Sequence, residues 1–372
     1  MLNPEEFLRL IRSHGITFSA GVPDSLLKDF CAVITDEKKD IIAANEGGAI
    51  ALAMGHYLAT GNIPLVYMQN SGFGNCVNPL TSLVDKEVYS IPMLLLIGWR
   101  GEPGVKDEPQ HVKQGRISED LLRIMEIDYE ILSSDMDRAQ RQLETAAATM
   151  KAKKSPYAFL VRKGTFEKYS LKTKTENTYT INRETVIEWL LKNMEKDSVV
   201  VSTTGKSSRE VFEIRERNEM GNGKDFLTVG GMGHASQIAL GIALSKKDRT
   251  VYCLDGDGAA IMHMGAMAIG GNHPAENYKH ILINNGCHES VGGQATVGFA
   301  IDFQKIAKAA GYERTWLVAK MEELSSSWKT FQAENGPVFL EIRTSGVSRA
   351  DLGRPTTSPI QNKEAFMKNL MN

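Results

Sequence analysis

The sequence predicts an α/β fold of two tandem domains, each a mainly parallel sheet with helices on both faces. Three observations predict it. Short apolar runs alternate with amphipathic stretches from end to end, the pattern of parallel strands joined by helices. A polar, Lys- and Thr-rich stretch from Lys163 to Glu184 interrupts that alternation near the middle. The 372 residues also suffice for two domains, at roughly 150 residues each. The expected division is residues 1–165, a linker over 166–182, and residues 183–372.

The elements follow in order. Phe7, Leu8, Leu10 and Ile11 recur at helical spacing between Asn3 and His14. A short strand is expected at Ile16 to Ala20. A helix is then expected from Pro23 to about Thr35, Pro being favoured in a first turn. Strand Ile41 to Ala44, helix Glu46 to Ala59 and strand Ile63 to Met68 come next. Strand Ile91 to Ile97, helix Ser118 to Met125, strand Tyr129 to Leu132, helix Met136 to Met150 and strand Tyr157 to Val161 complete the first half. In the second half a helix at Arg183 to Met194 precedes strand Ser198 to Ser202. Further strands are expected at Phe226 to Val229, Thr250 to Leu254, His280 to Ile283 and Val338 to Ile342. The clearest helices between them are Gln237 to Leu244, Phe303 to Ala310 and Glu322 to Glu334.

Composition excludes several classes. With 42% hydrophobic and 24% charged residues the chain is globular, not disordered. A formal net charge of -2 gives no sign of nucleic-acid binding. The most apolar run, Ile91 to Trp99, is far below the roughly 20 residues that span a bilayer. The opening MLNPEEF lacks the marks of a signal peptide. Cys31, Cys76, Cys253 and Cys287 show no metal-ligand spacing and read as reduced thiols of a cytoplasmic protein.

Ligands of such sheets bind beyond the carboxyl ends of the strands, so those residues carry the functional information. Familiar motifs fail there. Gly256-Asp257-Gly258 is followed by Ile261 where a dinucleotide fingerprint needs a third glycine. Gly205-Lys206-Ser207 has Val200 where a P-loop needs glycine, and Gln69 breaks G-x-S-x-G around Ser71. What remains is Gly256-Asp257-Gly258 after one strand and Asn284-Asn285-Gly286 after another, with 25 residues between Gly258 and Asn284. Either tripeptide alone is an ordinary turn. Together they set a carboxylate and a carboxamide, hard oxygen ligands suited to Mg²⁺, beside glycines that let backbone N–H groups approach a diphosphate.

This pair resembles the diphosphate-and-magnesium motif of the thiamine diphosphate enzymes. Asn45-Glu46-Gly47 supplies the complementary sign, an acid at a helix start where the family's pyrimidine domain holds a Glu. The resemblance implies thiamine diphosphate and Mg²⁺ as cofactors. The pyrimidine-binding domain would then span 1–165 and the diphosphate-binding domain 183–372. It implies Asp257, Asn285 and the Cys287 carbonyl as metal ligands. Cofactor contacts would come from Gly205, Lys206, Ser207, Gly230, Met232, Gly256, Gly258 and Ala259. Glu46 would act at the pyrimidine N1′, and Ser25, His111 and His288 would be further catalytic groups. The compact form, with GVPDSLLK early and NNGCHESVGGQ late, is similar to members that decarboxylate a 2-keto acid bearing a phosphonate, or its sulfonate analogue. Arg100, Lys106 and Arg116 would clamp that anion. In this family sites lie between subunits, which implies at least a homodimer. Each residue also has a plainer role: Glu46 as a first-turn acid, Met232 in a core, Ser25 as a cap, the histidines as structural groups and the cations as solvated surface. A non-catalytic homologue or a metal-free binding protein would keep only those roles.

Overall fold

The structure is a computed structural model that describes residues 1–173, 176–346 and 348–371. Lys174 and Thr175 of the expected linker lie outside the described residues, as do Val347 and Asn372. The chain divides into two compact units, Met1–Lys174 with Ser290–Gln294, and Thr175–Glu289 with Ala295–Asn372.

The first unit is built on β1 (Ser19–Gly21), β2 (Asp40–Ile42), β3 (Leu65–Gln69), β4 (Leu94–Gly98), β5 (Asp128–Ile131) and β6 (Tyr157–Val161). They form one sheet in the order β2-β1-β3-β4-β6-β5, every pair parallel. Its helices are α1 (Pro4–Ser13), α2 (Lys28–Asp36), α3 (Glu46–Thr60), α4 (Phe73–Ser82), α5 (Pro109–Ile124) and α6 (Met136–Lys153). Alternate residues of β3 and β4 enter opposite cores. Leu65, Tyr67, Leu94 and Leu96 pack with α1, α2 and α6, whereas Val66, Met68, Leu95 and Ile97 pack with α3 and α4. Burial on both faces is why these strands read as unbroken apolar runs. Helix α1 begins where Asn3 accepts from the Glu5 and Glu6 N–H groups, a cap worth about 1 kcal/mol.

The second unit contains β7 (Val199–Ser202), β8 (Asp225–Leu227), β9 (Val251–Gly256), β10 (Tyr278–Asn284), β11 (Arg314–Val318) and β12 (Val338–Arg343). The sheet runs β11-β12-β10-β9-β7-β8, again all parallel. Around it lie α7 (Arg183–Asn193), α8 (Lys206–Arg217), α9 (Ala235–Ser245), α10 (Asp257–Met262), α11 (Gly265–Gly271), α12 (Phe303–Ala309), α13 (Met321–Ala333) and α14 (Pro359–Met371). Numbered within each unit, both sheets have the order 2-1-3-4-6-5. Each therefore reverses direction between its first and third strands, where a crevice opens beyond the carboxyl ends.

Several elements depart from expectation. The helix expected from Pro23 begins at Lys28, because the Asp24 carboxylate first gathers the Leu26 and Leu27 N–H groups in a turn. Helix α4 contains Gly74 and Pro79, and its low propensity hides it. Helix α8 is so polar that its inward Val211 and Ile214 escape notice. The stretch expected as a linker contains the division between the units and is largely exposed, but a few of its residues are anchored on either side. Phe166 stacks on Phe30 in the first unit's core, and the Tyr169 hydroxyl, Lys172 N–H and Thr173 N–H all donate to Asp36. Asn177 donates to the carbonyls of Asn285 and Thr344 in the second unit, where Ile181 is buried. Its few aromatic and aliphatic residues anchor a chain whose average composition is polar.

Candidate active site

In the second unit the ends of β7, β8, β9 and β10 meet. Strand β9 runs directly into α10 at Asp257, which is 3% exposed. Burial pushes the Asp257 carboxyl up to about 6, against hydrogen bonds from the Thr296 hydroxyl and the Asn285 and Gly258 backbone N–H groups. None of these partners is a cation. A buried carboxylate held only by neutral donors has the charge and the oxygen atoms that a divalent cation requires. Asn285 is itself buried, and its Oδ1 accepts from the Cys287 N–H at 3.2 Å, which turns the chain after β10. The Cys287 thiol is pushed up to about 12 by burial and stays protonated. Asn284, the other amide of the pair, is structural: it donates to the Gly298 carbonyl and to Glu341.

The segment that folds over Asp257 is absent from the motif. Thr296 donates to Asp257, and the Gly298 N–H donates back to Thr296 Oγ1 at 3.0 Å. A Cβ on Gly298 would lie 2.6 Å from Asp257 Oδ2 and 2.7 Å from Asn284 Oδ1, so only glycine fits over these oxygens.

Met232 and His288 converge on Gly258, where a Cβ would lie 3.3 Å from Met232 Cε and 3.2 Å from His288 Cε1. Met232 is half-buried at the strand ends instead of in a core. Burial pushes the His288 imidazole down to about 4, leaving it neutral near pH 7. At the end of β7 the Thr203 hydroxyl is buried with no hydrogen-bond partner among the described residues. Gly205, with φ +103°, turns the chain there into α8, whose N-terminal N–H groups favour an anion. Ser207 is buried in that first turn, Ala259 is buried in α10, and Gly230 lies between β8 and α9. Lys206 does not stand free for a diphosphate. Its Nζ donates to Glu289 at 2.9 Å and to Ser348 at 2.6 Å, and Glu289 also pairs with Arg183. The orphan hydroxyl, the α8 N-terminus and the cation-free carboxylate fit a diphosphate and its metal.

In the first unit Glu46 opens α3 and is 6% exposed. Asn45 caps the helix by accepting from the Gly48 N–H at 2.9 Å. Asn75, on α4, donates to Glu46 Oε2 at 2.6 Å. A Cβ on Gly72 would lie 2.5 Å from Glu46 Cγ, so that glycine admits the acid. Ser25 is not a cap: its Oγ accepts from Arg100 Nη1 at 2.7 Å. Arg100 forms a two-point pair with Asp107, and the same carboxylate meets His111 Nδ1 at 3.0 Å. Ser25, Arg100 and His111 are thus brought together. Lys106 and Arg116 are exposed, and among the described residues no hydrogen bond or ion pair joins either to Arg100. Of the three expected cations, Arg100 is the one that shares polar contacts with Ser25 and, through Asp107, with His111.

Two family models match this chain: the N-terminal thiamine pyrophosphate enzyme domain over residues 5–123 and the C-terminal domain over residues 203–342. The chain belongs to the thiamine pyrophosphate enzyme family. It is 33% identical to the phosphonopyruvate decarboxylase of Streptomyces viridochromogenes, over 98% of this chain and 94% of that one. Identity to the phosphonopyruvate decarboxylase of Streptomyces hygroscopicus is 32%, over 98% and 93%. A sulfopyruvate decarboxylase from Methanosarcina acetivorans is 25% identical over 92% and 91%.

Proposed function

We propose that this chain decarboxylates 3-phosphonopyruvate to phosphonoacetaldehyde and CO₂, with thiamine diphosphate and Mg²⁺, in phosphonate biosynthesis. The observation that carries the reading is the cation-free, buried Asp257 at a strand end, in a chain alike over nearly its whole length to decarboxylases of that substrate.

When bound, the cofactor supplies the electron sink that loss of CO₂ from a keto acid requires. The chain's own residues bind, orient and exclude water. Asp257, Asn285 and the Cys287 carbonyl would hold the metal. Gly205, Ser207 and Thr203 would hold the diphosphate, with Lys206 available once it leaves Glu289. Met232 and Gly230 would set the cofactor's bend. Glu46, oriented by Asn75, would exchange a proton at the pyrimidine N1′. His288, neutral near pH 7, is a base beside Gly258. Arg100 and Ser25 would receive the substrate's anionic groups.

Residues 1–165 would be the pyrimidine-binding part and 183–372 the diphosphate-binding part. We further propose at least a homodimer with sites completed between chains, working in the cytoplasm. All four cysteines are free, and no helix among the described residues is long and apolar enough to cross a membrane.

The test is turnover of the loaded enzyme with 3-phosphonopyruvate, 3-sulfopyruvate and pyruvate, reading CO₂ and aldehyde. A higher kcat/KM for 3-sulfopyruvate would move the substrate. No decarboxylation of any of the three by enzyme shown to hold cofactor would end the reading.

A further inference from the structure

One carboxylate outside the sequence-derived site organises the polar cluster of the first unit. Asp107 lies in the loop between β4 and α5, and its side chain is 13% exposed. Oδ2 accepts from Arg100 Nε and the Gly101 N–H, both at 2.8 Å. Oδ1 accepts from Arg100 Nη2 at 2.5 Å and meets His111 Nδ1 at 3.0 Å. Burial works against this charge, yet Arg100, His111 and the Gly101 N–H together hold the carboxyl well below the usual range.

We propose that Asp107 is the positioning residue of the substrate half-site: it clamps Arg100 as the anchor for the substrate's second anion and fixes His111 with its acceptor nitrogen, Nε2, free. The proposal rests on the decarboxylase reading only for the identity of that anion.

Arg100 is preorganised from both ends. Its backbone N–H donates to Asn70 Oδ1 at 3.1 Å, and its carbonyl accepts from Asn70 Nδ2 at 2.8 Å. Asn70 is fully buried at the end of β3. Asp107 occupies the Nε–Nη2 edge of the guanidinium. Nη1 reaches Ser25, and Nη1 and Nη2 each carry a second N–H that these contacts leave over. That remaining edge matches two oxygens of a phosphonate. Ser25 accepts from Arg100, so its own O–H stays available to donate to the same anion.

His111 follows from the same carboxylate. An ionised carboxylate only accepts, so the contact with Asp107 requires a proton on Nδ1. A neutral imidazole then has its lone pair on Nε2. The charged groups around His111 are Asp107, Arg100 and Asp24. Burial lowers its proton affinity, partly offset by Asp107, so the ring is a neutral acceptor near pH 7.

Three readouts on the holoenzyme test this. Nitrogen-15 NMR of His111 should show the Nδ1–H tautomer in wild type, and Asp107→Asn should lose that preference. Calorimetric binding of methylphosphonate should weaken about tenfold or more in Asp107→Asn and in Arg100→Lys. The acid limb of the kcat profile should move to lower pH in Asp107→Asn, because the carboxylate raises the proton affinity of His111. An Nε2–H tautomer in wild type would overturn the proposal. So would an unchanged methylphosphonate affinity in Arg100→Lys, or an unmoved acid limb in a folded Asp107→Asn enzyme. If Asp107→Asn does not fold, the wild-type tautomer and Arg100→Lys decide. Failure of wild type to turn over 3-phosphonopyruvate would sink the substrate assignment alone, since the tautomer and the methylphosphonate affinity are read without turnover.

Discussion

Replacing Asp257 by Asn should stabilise the cofactor-free protein at alkaline pH while abolishing its response to metal. Burial raises the Asp257 carboxyl from 3.8 to about 6. At 1.36 kcal/mol per unit, holding the carboxylate ionised above pH 6 costs the fold about 3 kcal/mol. The sign follows from proton linkage. An acid whose folded value is raised binds its proton better when folded, so its contribution to stability is fully present below pH 3.8 and is lost as pH rises through 6. Asn removes the charge but presents an N–H₂ group near the Asn285 and Gly258 N–H donors, and that mismatch returns part of the gain. A net increase of about 1–2 kcal/mol at pH 8, shrinking to nothing near pH 5, is the expected balance. Urea denaturation of stripped wild type and Asp257→Asn at pH 5, 6, 7 and 8 measures it, with and without Mg²⁺ and thiamine diphosphate. Wild type should gain stability with the ligands together, by the mass-action amount, and the variant should not. A variant less stable than wild type at pH 8 by the same margin as at pH 5 would refute the electrostatic reasoning. A variant that still gains stability from Mg²⁺ and cofactor would refute the assignment of Asp257 to the metal.

Glu46→Gln keeps an acceptor for Asn75 but loses the acid, so cofactor affinity should persist while turnover falls by roughly two orders of magnitude; near-normal turnover in loaded enzyme would leave Glu46 as a helix-start acid. His288, pushed to about 4 by burial, should show no change of its imidazole NMR signal between pH 8 and 5.5, and a midpoint near 6.5 would contradict that burial. Its depressed value also makes stability decline as pH falls from about 6.5 toward 4, since the unfolded chain takes up that proton first. Mixing an inactive Glu46→Gln chain with an inactive Asp257→Ala chain should restore partial activity if sites are completed between chains; proven subunit exchange without recovery would count against it.

The fold was legible because its strands are covered on both faces and so appear as apolar runs. Edge strand β11 was missed: Arg314 and Leu317 are exposed, and the run RTWLV breaks the apolar pattern. The positions of Asp257, Asn285 and Glu46 beyond strand ends were legible because short motifs mark where a strand gives way to a turn or helix. The site was not legible where a distant partner decides the role. Thr296 reaches Asp257 across 39 positions, and Glu289 takes the Lys206 ammonium from 83 positions away. No local pattern announces such contacts. Asp107 was in view, four residues before His111, but only folding shows that one carboxylate serves both Arg100 and His111.

The two units share one strand order, so their differences isolate what the chemistry adds to the scaffold. After the second strand the first unit places Glu46, an acid, and the second places Gly230 and Met232, which carry no charge. After the third strand the first unit has Gln69 and Asn70, whose amides hold Asp24 and the Arg100 backbone, and the second has Asp257, a carboxylate without a cation. After the fourth strand the first unit has Arg100 and the second has Asn285. Thus one sheet presents an acid and a guanidinium, groups that would serve an organic base and an oxyanion on the function proposed above. The other presents neutral and anionic oxygens with N–H donors, groups that would serve a metal and a diphosphate on the same reading. Exchanging Arg100 for an oxygen donor, or Asn285 for a cation, would put the wrong charge at each place. The same six-stranded frame therefore carries two different sets of strand-end groups, Glu46 and Arg100 on one sheet and Asp257 and Asn285 on the other.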